Sequence, residues 1–257
     1  MLLKGIGKNI SSKTVAISFL GGLFFNIFLP STIGGDSTRV IDLSFHTKDS
    51  SFVLASVILD RLSGLLGLSL IALFSCIFGF VSGLVKNIIF LYITVIIFLI
   101  LVLVLAILFS QKFFNKIINN LIKIKKVNDY LQRFFQSYNC LLFQKKFLFQ
   151  SLILSLIIQG GVSLACYFIG LSLNIKLNII YYLIFIPLVT LIATIPISFG
   201  GLGIRENAAV FFFSGLQIPT EKVVAMSLIL FGITVLLGIL GGIIYVIALC
   251  SRWLQHY

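Results

Sequence analysis

Two short segments of this chain combine a proline, a glycine pair and an arginine at the same spacing. Residues 30–39 read PSTIGGDSTR, and residues 196–205 read PISFGGLGIR. Both fit the pattern Pro-x-x-x-Gly-Gly-x-x-x-Arg, at Pro30, Gly34, Gly35 and Arg39 in the first copy and Pro196, Gly200, Gly201 and Arg205 in the second. Each copy follows an apolar run, where a helix-breaking proline and an arginine are both costly. A repeated motif of this kind indicates an internal repeat with broken helices.

The residue types of the motif favour recognition of an anion inside a membrane. Proline lacks a backbone N–H and obstructs the preceding turn, so we expect the helices to break at Pro30 and Pro196. The glycines then allow irregular backbone with exposed N–H groups, which membranes tolerate only inside protein or around a water-filled cavity. Helices that begin after the motifs would add partial positive charge, and the arginine fork suits phosphate or carboxylate oxygens. The abundant membrane anions are the head groups of phospholipids and polyprenyl phosphates.

Four other charged residues lie in or near these apolar segments. Asp36 is inside the first motif, Glu206 directly follows the second, and Asp60 and Arg61 lie in the first third of a long apolar run. Sequence neighbours do not face each other on a helix, so we expect these charges to pair with other elements. Asn26, just before the first motif, is expected to cap or hydrogen-bond the broken helix.

An ion pair between the repeats, Arg39 with Glu206 or Asp36 with Arg205, would brace or gate a cavity. The alternative is that these arginines only satisfy carboxylates or helix-end carbonyls. The residues predicted to line, gate or shape a substrate site are Arg39, Arg205, Asp36, Glu206, Asp60, Arg61, Gly34, Gly35, Gly200 and Gly201.

Composition places this chemistry in a bilayer. Of the 257 residues, 60% are hydrophobic and 10% are charged, and the mean hydropathy is +1.17. A soluble domain could not bury this much apolar surface, so lipid must be its solvent. The apolar runs are continuous, as in residues 88–109, rather than alternating. We therefore predict an all-α, polytopic transmembrane helical bundle with two pseudo-symmetric halves and broken or re-entrant helices at the motifs.

The net charge of +12 is concentrated near the N-terminus and in residues 111–146. Basic residues between apolar spans are typical of loops on the inner side of a membrane, and nucleic acid is not an expected partner. The chain has 2 histidines and 4 widely spaced cysteines. We therefore expect no metal site, no catalytic triad and no cofactor.

Hydropathy divides the chain into segments of a single membrane domain, residues 1–257. Apolar segments are predicted at residues 15–29, 52–84, 88–109, 147–173, 177–195, 207–216 and 223–250. Residues 111–146 show helical periodicity with lysines opposite the apolar face. They are expected to form a cytoplasmic amphipathic helix on the membrane or under the bundle, or else a plain helical linker. They separate a first half, residues 1–110, from a second half, residues 147–257. Counting spans puts the N-terminus inside and lets the two motifs enter from opposite sides.

Three segments resemble the signatures of the lysylphosphatidylglycerol synthase transmembrane, or flippase-like, family. They are FFNIFLPSTIGGD at residues 24–36 with Arg39, ASV at 55–57 with Asp60, Arg61 and Gly64, and IPISFGGLGIRE at 195–206. The resemblance covers nearly the whole chain. It is specific for the family and leaves the lipid substrate open. Family members usually carry further membrane helices before the first signature, which here starts about two dozen residues from Met1. A short member, an alternative start and a truncated product are the three expectations.

The resemblance implies a bacterial or archaeal cytoplasmic (inner) membrane protein that moves or holds lipids. We expect a non-enzymatic translocase for an anionic or aminoacylated phospholipid or a lipid-linked head group. Its expected partners are membrane lipids and a separate lipid-modifying enzyme. Two alternatives stay open: a membrane-embedded head-group transferase, and a non-transporting scaffold for a lipid-modifying enzyme.

Overall fold

The computed structural model describes residues 11–28, 33–85, 88–109, 125–195 and 201–254. Pro30, Pro196 and Gly200 of the motifs lie outside these ranges, as do residues 111–124 of the basic segment. The helices in the described part of the chain are α1 (Ser12–Phe28), α2 (Ile33–Thr47), α3 (Ser50–Val81), α4 (Ile88–Phe109), α5 (Lys125–Phe143), α6 (Lys145–Ser172), α7 (Ile179–Ala193), α8 (Ile204–Ser214) and α9 (Thr220–Leu254).

The predicted all-α membrane architecture is confirmed. Within the described ranges, three helices are long and apolar enough to cross a membrane: Ser50–Val81, Lys145–Ser172 and Thr220–Cys250. Shorter apolar helices occupy Ser12–Phe28, Ile88–Val104 and Ile179–Ala193. Many large apolar side chains on these helices are exposed, such as Leu236 and Leu103. Exposure of this kind suits surfaces that face lipid tails rather than water.

Local sequence signals explain where several helices begin and end. Asp49 accepts a hydrogen bond from Phe52 N at 3.2 Å and caps the start of α3. Asn178 accepts one from Ile180 N at 3.1 Å and caps α7 in the same way. Gly83, at φ 70°, takes the left-handed conformation in the turn after α3. Short polar side chains and glycine are the residues that satisfy helix ends.

The chain forms two compact units. The first comprises Met1–Lys8 with Asp49–Gly161, and the second comprises Asn9–Lys48 with Val162–Tyr257. Their boundary falls within α6. The units therefore do not follow the sequence halves at residues 1–110 and 147–257, because α1 packs on α9 of the second half and α2 packs on α1. The pseudo-symmetry of those halves stays a prediction.

In the first unit, α3 is the central helix and contacts α4 and α5. Cys76 on α3 forms a hydrogen bond with Thr94 on α4. Ser63 on α3 and Ser151 on α6 share a hydrogen bond of 2.8 Å between their hydroxyl oxygens. Amphipathic α5 buries Tyr138 and Leu141. The described part of the basic segment thus packs against α3, and its expected cytoplasmic position stays a prediction.

In the second unit, α9 is the central helix and contacts both α1 and α8. A cluster of aromatic rings joins α7 to α8. Phe185 lies 5.1 Å from Phe213 in an edge-to-face arrangement and 5.7 Å from Phe212 in a stacked one, between ring centroids. These apolar contacts hold the two helices that flank the second motif.

Candidate functional site

The first motif connects two helices that pack as an antiparallel hairpin. Gly22 on α1 faces Gly35 on α2 so closely that a Cβ on Gly22 would lie 2.9 Å from the Gly35 carbonyl oxygen. A Cβ on Gly35 would overlap the Gly22 carbonyl oxygen and the Asn26 side chain. Neither position can therefore carry a larger side chain without separating the helices.

The glycine pair of the first motif differs from expectation. Gly34 and Gly35 lie inside α2, which begins at Ile33, rather than in irregular backbone. The reason is the contact with α1, since glycine here supplies a flat helix face rather than unusual backbone angles. Asn26 Oδ1 accepts a hydrogen bond from Gly35 N at 2.9 Å. The prediction that Asn26 hydrogen-bonds the broken helix is thus confirmed.

Polar side chains continue along the interface of this hairpin. Ser18 on α1 donates a hydrogen bond to Asp42 on α2, and both residues are buried. The guanidinium carbon of Arg39 lies 5.6 Å from the centroid of the Phe19 ring, a cation–π arrangement. Asp36 lies in the first turn of α2, where a carboxylate interacts favourably with the helix dipole.

The second motif connects α7 to α8, which also pack as an antiparallel pair. Here the backbone is irregular, as predicted: Gly201 has φ 80° and Gly203 has φ 81°. Helix α8 begins at Ile204, so Arg205 and Glu206 occupy its first turn. The two copies of the motif therefore use their described glycines differently: Gly34 and Gly35 lie inside a helix, whereas Gly201 lies in the turn before one.

Glu206 holds the start of α8 in place. Its Oε2 accepts a hydrogen bond from Gly203 N at 2.6 Å, which satisfies a backbone donor at the helix start. Its Oε1 accepts one from Ser227 Oγ on α9 at 3.2 Å. The carboxylate thus connects the second motif to the central helix. The proposed ion pair of Glu206 with Arg39 stays a prediction.

Arg205 lies beside a buried polar group of α6. Its charge interacts with Glu206 and with the thiol of Cys166. One turn earlier on α6, Ser163 is fully buried, and its hydroxyl has no hydrogen-bond partner among the described residues. The hydroxyl of buried Tyr182 on α7 has none there either. Buried polar groups without a hydrogen-bond partner are costly unless another polar group supplies one.

One face of α9 carries both hairpins. At one end, Gly238 contacts Ile27, and Gly241 and Gly242 contact Leu20 and Phe24. At the other end, Ser227 contacts Glu206. Ser227 and Gly238 are eleven residues apart, which puts them on the same helix face, roughly 16 Å apart along its axis. A Cβ on Gly238 would overlap Ile27 and one on Gly242 would overlap Phe24, so these glycines let α1 pack closely on α9.

The two hairpins run toward each other along this face. Helix α1 is antiparallel to α9, so its motif end points toward the start of α9. Helix α8 is also antiparallel to α9, and its motif end points toward the end of α9. Between them, the same face presents Phe231 and Thr234. Thr234 is exposed and is the one polar side chain in residues 228–238. We call the face formed by Ser227, Phe231, Thr234 and Gly238 the α9 seam.

The predicted site residues therefore fall into two groups. Asp36, Arg39, Arg205 and Glu206 belong to the hairpins of the second unit, which meet the α9 seam from opposite ends. Asp60 and Arg61 lie half-buried on α3 in the first unit, and their part in the site stays a prediction. In the part of the chain that the structure describes, no cluster of three or more His, Cys, Asp or Glu side chains could hold a metal ion.

Sequence reasoning missed several residues that the fold brings to these hairpins. They are Ser18, Asp42, Ser163, Cys166, Tyr182, Ser227 and Thr234. Each is an isolated polar residue, most of them within an apolar run, and such residues are common in membrane helices. A usable signal existed for Ser227, Thr234 and Gly238, since their spacing of seven, then four residues marks one helix face.

Comparison with known proteins gives one match. The family described as "Lysylphosphatidylglycerol synthase TM region" matches residues 1–242 of the chain. No curated protein matches the chain significantly. No solved structure matches it significantly either.

Proposed function

Because the chain belongs to the lysylphosphatidylglycerol synthase transmembrane family and is an integral membrane protein, we propose that it is a lipid translocase. It moves an anionic or aminoacylated phospholipid, or a lipid-linked head group, between leaflets. It does so in the bacterial or archaeal cytoplasmic membrane and without enzymatic chemistry. The observation that carries this proposal is the pair of motif hairpins that meet the α9 seam from opposite ends.

Head-group recognition falls to the two motif arginines. Arginine can make paired hydrogen bonds to phosphate oxygens and is always charged. Arg205 lies in the first turn of α8, where the helix dipole adds positive potential. Arg39 lies on the other hairpin, in the half-buried part of α2. An anionic head group would thus meet one arginine from each side of the seam.

The α9 seam provides a polar group between these two arginines. The acyl chains of a lipid can stay in the bilayer while only the head group crosses, so the protein must lower the cost of a buried charge. Thr234 provides a hydroxyl between the hairpins, and this hydroxyl donates to the Leu230 and Phe231 carbonyl oxygens at 2.8 Å. Ser163 adds a buried hydroxyl on α6, one turn from Cys166, with which the charge of Arg205 interacts.

Translocation would follow from movement of one hairpin relative to α9. Glycine contacts at Gly238 and Gly241 involve small, flat surfaces that resist large side chains but allow close approach of helices. Rocking of pseudo-symmetric repeats is a known route to alternating access. In this scheme, Arg39 and Arg205 alternate as the binding group on the two sides.

The test is lipid scrambling in proteoliposomes with head-group-labelled phospholipids. Arg39→Ala and Arg205→Ala should each slow protein-dependent movement about tenfold or more, because each loses charge-assisted hydrogen bonds. Arg133→Ala, on the exposed face of α5, is the matched control and should move lipid at the wild-type rate. No movement of any lipid by folded protein would overturn the proposal.

The same experiment separates the alternatives. A head-group transferase would release a new lipid product when an activated donor is supplied, with or without translocation. A scaffold would move no lipid alone and would co-purify with a lipid-modifying enzyme, the second partner proposed for this chain. Translocation by the purified chain without a donor excludes the non-transporting scaffold and establishes the transport activity.

A further inference from the structure

The first unit contains a groove between α3 and α6. Its volume is about 320 Å³, at the lower end of ligand pockets, which span about 300–1,000 Å³. Five of its eight lining residues are leucines: Leu59, Leu62 and Leu66 of α3 and Leu148 and Leu152 of α6. Among the described residues that line it, Lys145 alone carries a charge. The groove is therefore an apolar channel with a cation at one position.

The groove follows the direction of two parallel helices. Ser63 bonds Ser151 at 2.8 Å, and a Cβ on Gly67 would lie 3.0 Å from the Ser155 Cβ. Both pairs have the same offset in residue number, which means that α3 and α6 run side by side in the same direction. Leucines one turn apart on both helices therefore line a straight channel along the membrane helices.

Lys145 lies at the membrane-surface end of this channel. It is the first residue of α6, a helix long enough to cross the bilayer, and Lys146 follows it. Lysines at a helix end place their ammonium groups at the level of lipid head groups. Leu148 and Leu152 lie one and two turns deeper along the same helix. A cation at the surface followed by an apolar channel is the order of groups in an anionic phospholipid, phosphate first and acyl chain below.

We infer that this groove binds an anionic glycerophospholipid, with one acyl chain along the leucines and the phosphate at Lys145. Lateral entry from the bilayer is open, since Phe149 at the groove is 63% exposed. Charge complementarity selects the occupant: a zwitterionic lipid fills the leucine channel equally well but gains less from the ammonium group. This site is independent of the proposed translocation and holds a resident lipid even in a protein that moves none.

The test uses fluorescence quenching by phospholipids with brominated acyl chains. The chain's single tryptophan, Trp253, is replaced by phenylalanine, and Phe149→Trp places a reporter at the groove. In vesicles of mixed composition, brominated phosphatidylglycerol should associate about fivefold more strongly than brominated phosphatidylcholine, the effect of one lysine near an anionic lipid. Lys145→Gln should remove this preference. Lys146→Gln, which changes the neighbouring exposed lysine outside the groove, should keep it.

Three results would overturn the inference. Equal association of the two lipids would make the groove an unselective apolar surface, and equal loss in both lysine variants would make the preference a general surface-charge effect. Native mass spectrometry of the chain with Phe149 and Trp253 intact gives a second readout that does not need the reporter. There, wild type and Lys146→Gln should retain phosphatidylglycerol and Lys145→Gln should lose it, and a wild-type chain that retains none contradicts the site.

Discussion

Glu206 Oε1 accepts a hydrogen bond from Ser227 Oγ at 3.2 Å, while its Oε2 accepts one from Gly203 N at 2.6 Å. One carboxylate thus both caps α8 and joins it to α9. The turn of the second motif and the central helix α9 are consequently joined through the side chain of Glu206. This arrangement gives Glu206 a structural role that is separable from any contact with lipid.

Removal of the Glu206 carboxylate should destabilise the second hairpin. Glu206→Ala should lower the free energy of unfolding by about 1–2 kcal/mol, the usual cost of a lost helix-start hydrogen bond plus a tertiary one. Glu206→Gln retains an acceptor oxygen and should lose less. Thermal melting in detergent measures both. Ser227→Ala removes one of the two bonds and should give an intermediate value, and a melting temperature equal to wild type in Glu206→Ala would contradict this role.

Asn26 should stabilise the first hairpin through its acceptor oxygen. Asn26→Leu, similar in size, leaves Gly35 N without this partner and should cost about 1 kcal/mol or more. Asn26→Asp keeps the oxygen and should stay closer to wild type. The comparison is made by thermal melting in the same detergent. If the leucine and aspartate variants melt together, the hydrogen bond contributes nothing measurable.

Close packing of α1 on α2 should make Gly35 intolerant of any side chain. Gly35→Ala should destabilise the protein by about 2–3 kcal/mol, because the added methyl meets the backbone oxygen of Gly22 as well as the Asn26 side chain, and the backbone oxygen cannot move aside. Gly160→Ala is the matched control. A Cβ at Gly160 on α6 meets no described atom within 4 Å, so this change should be neutral or stabilising by up to about 1 kcal/mol. Similar yields of folded protein for both variants would refute the close contact.

Thr234 should govern lipid movement without holding the fold together. Thr234→Phe places a large ring between the two hairpins and should abolish scrambling while the melting temperature stays near wild type. Thr234→Val keeps the shape but removes the hydroxyl. Its smaller loss of scrambling rate measures the contribution of this hydroxyl to lipid movement. Ile233→Phe is the control and should scramble lipid at the wild-type rate. Ile233 lies on an adjacent face of α9, and its side chain is 41% exposed. A wild-type scrambling rate in Thr234→Phe would show that the lipid head group does not cross along the α9 seam.

The amino-acid sequence by itself determined the membrane class, most helix bounds and the repeated motif. Each apolar segment is surrounded by lipid independently of the others, so a run such as residues 88–109 predicts a helix without knowledge of the tertiary structure. Asn26 was predictable for the same reason, because a polar side chain beside a broken helix has local backbone donors to satisfy. These properties depend on neighbouring residues along the chain.

Only the tertiary structure decided how the two motifs are used and what lies between them. The glycines of the first copy are helical because α1 packs on them, whereas Gly201 of the second takes φ 80°. The partner of Glu206, the place of Thr234 between the hairpins and the groove at Lys145 all depend on helices distant in sequence. Apolar helices have many packing solutions in lipid, so hydropathy cannot choose among them. Small residues and single hydrogen bonds between helices select one packing arrangement. These contacts form only when the helices pack together, so they cannot be read from hydropathy.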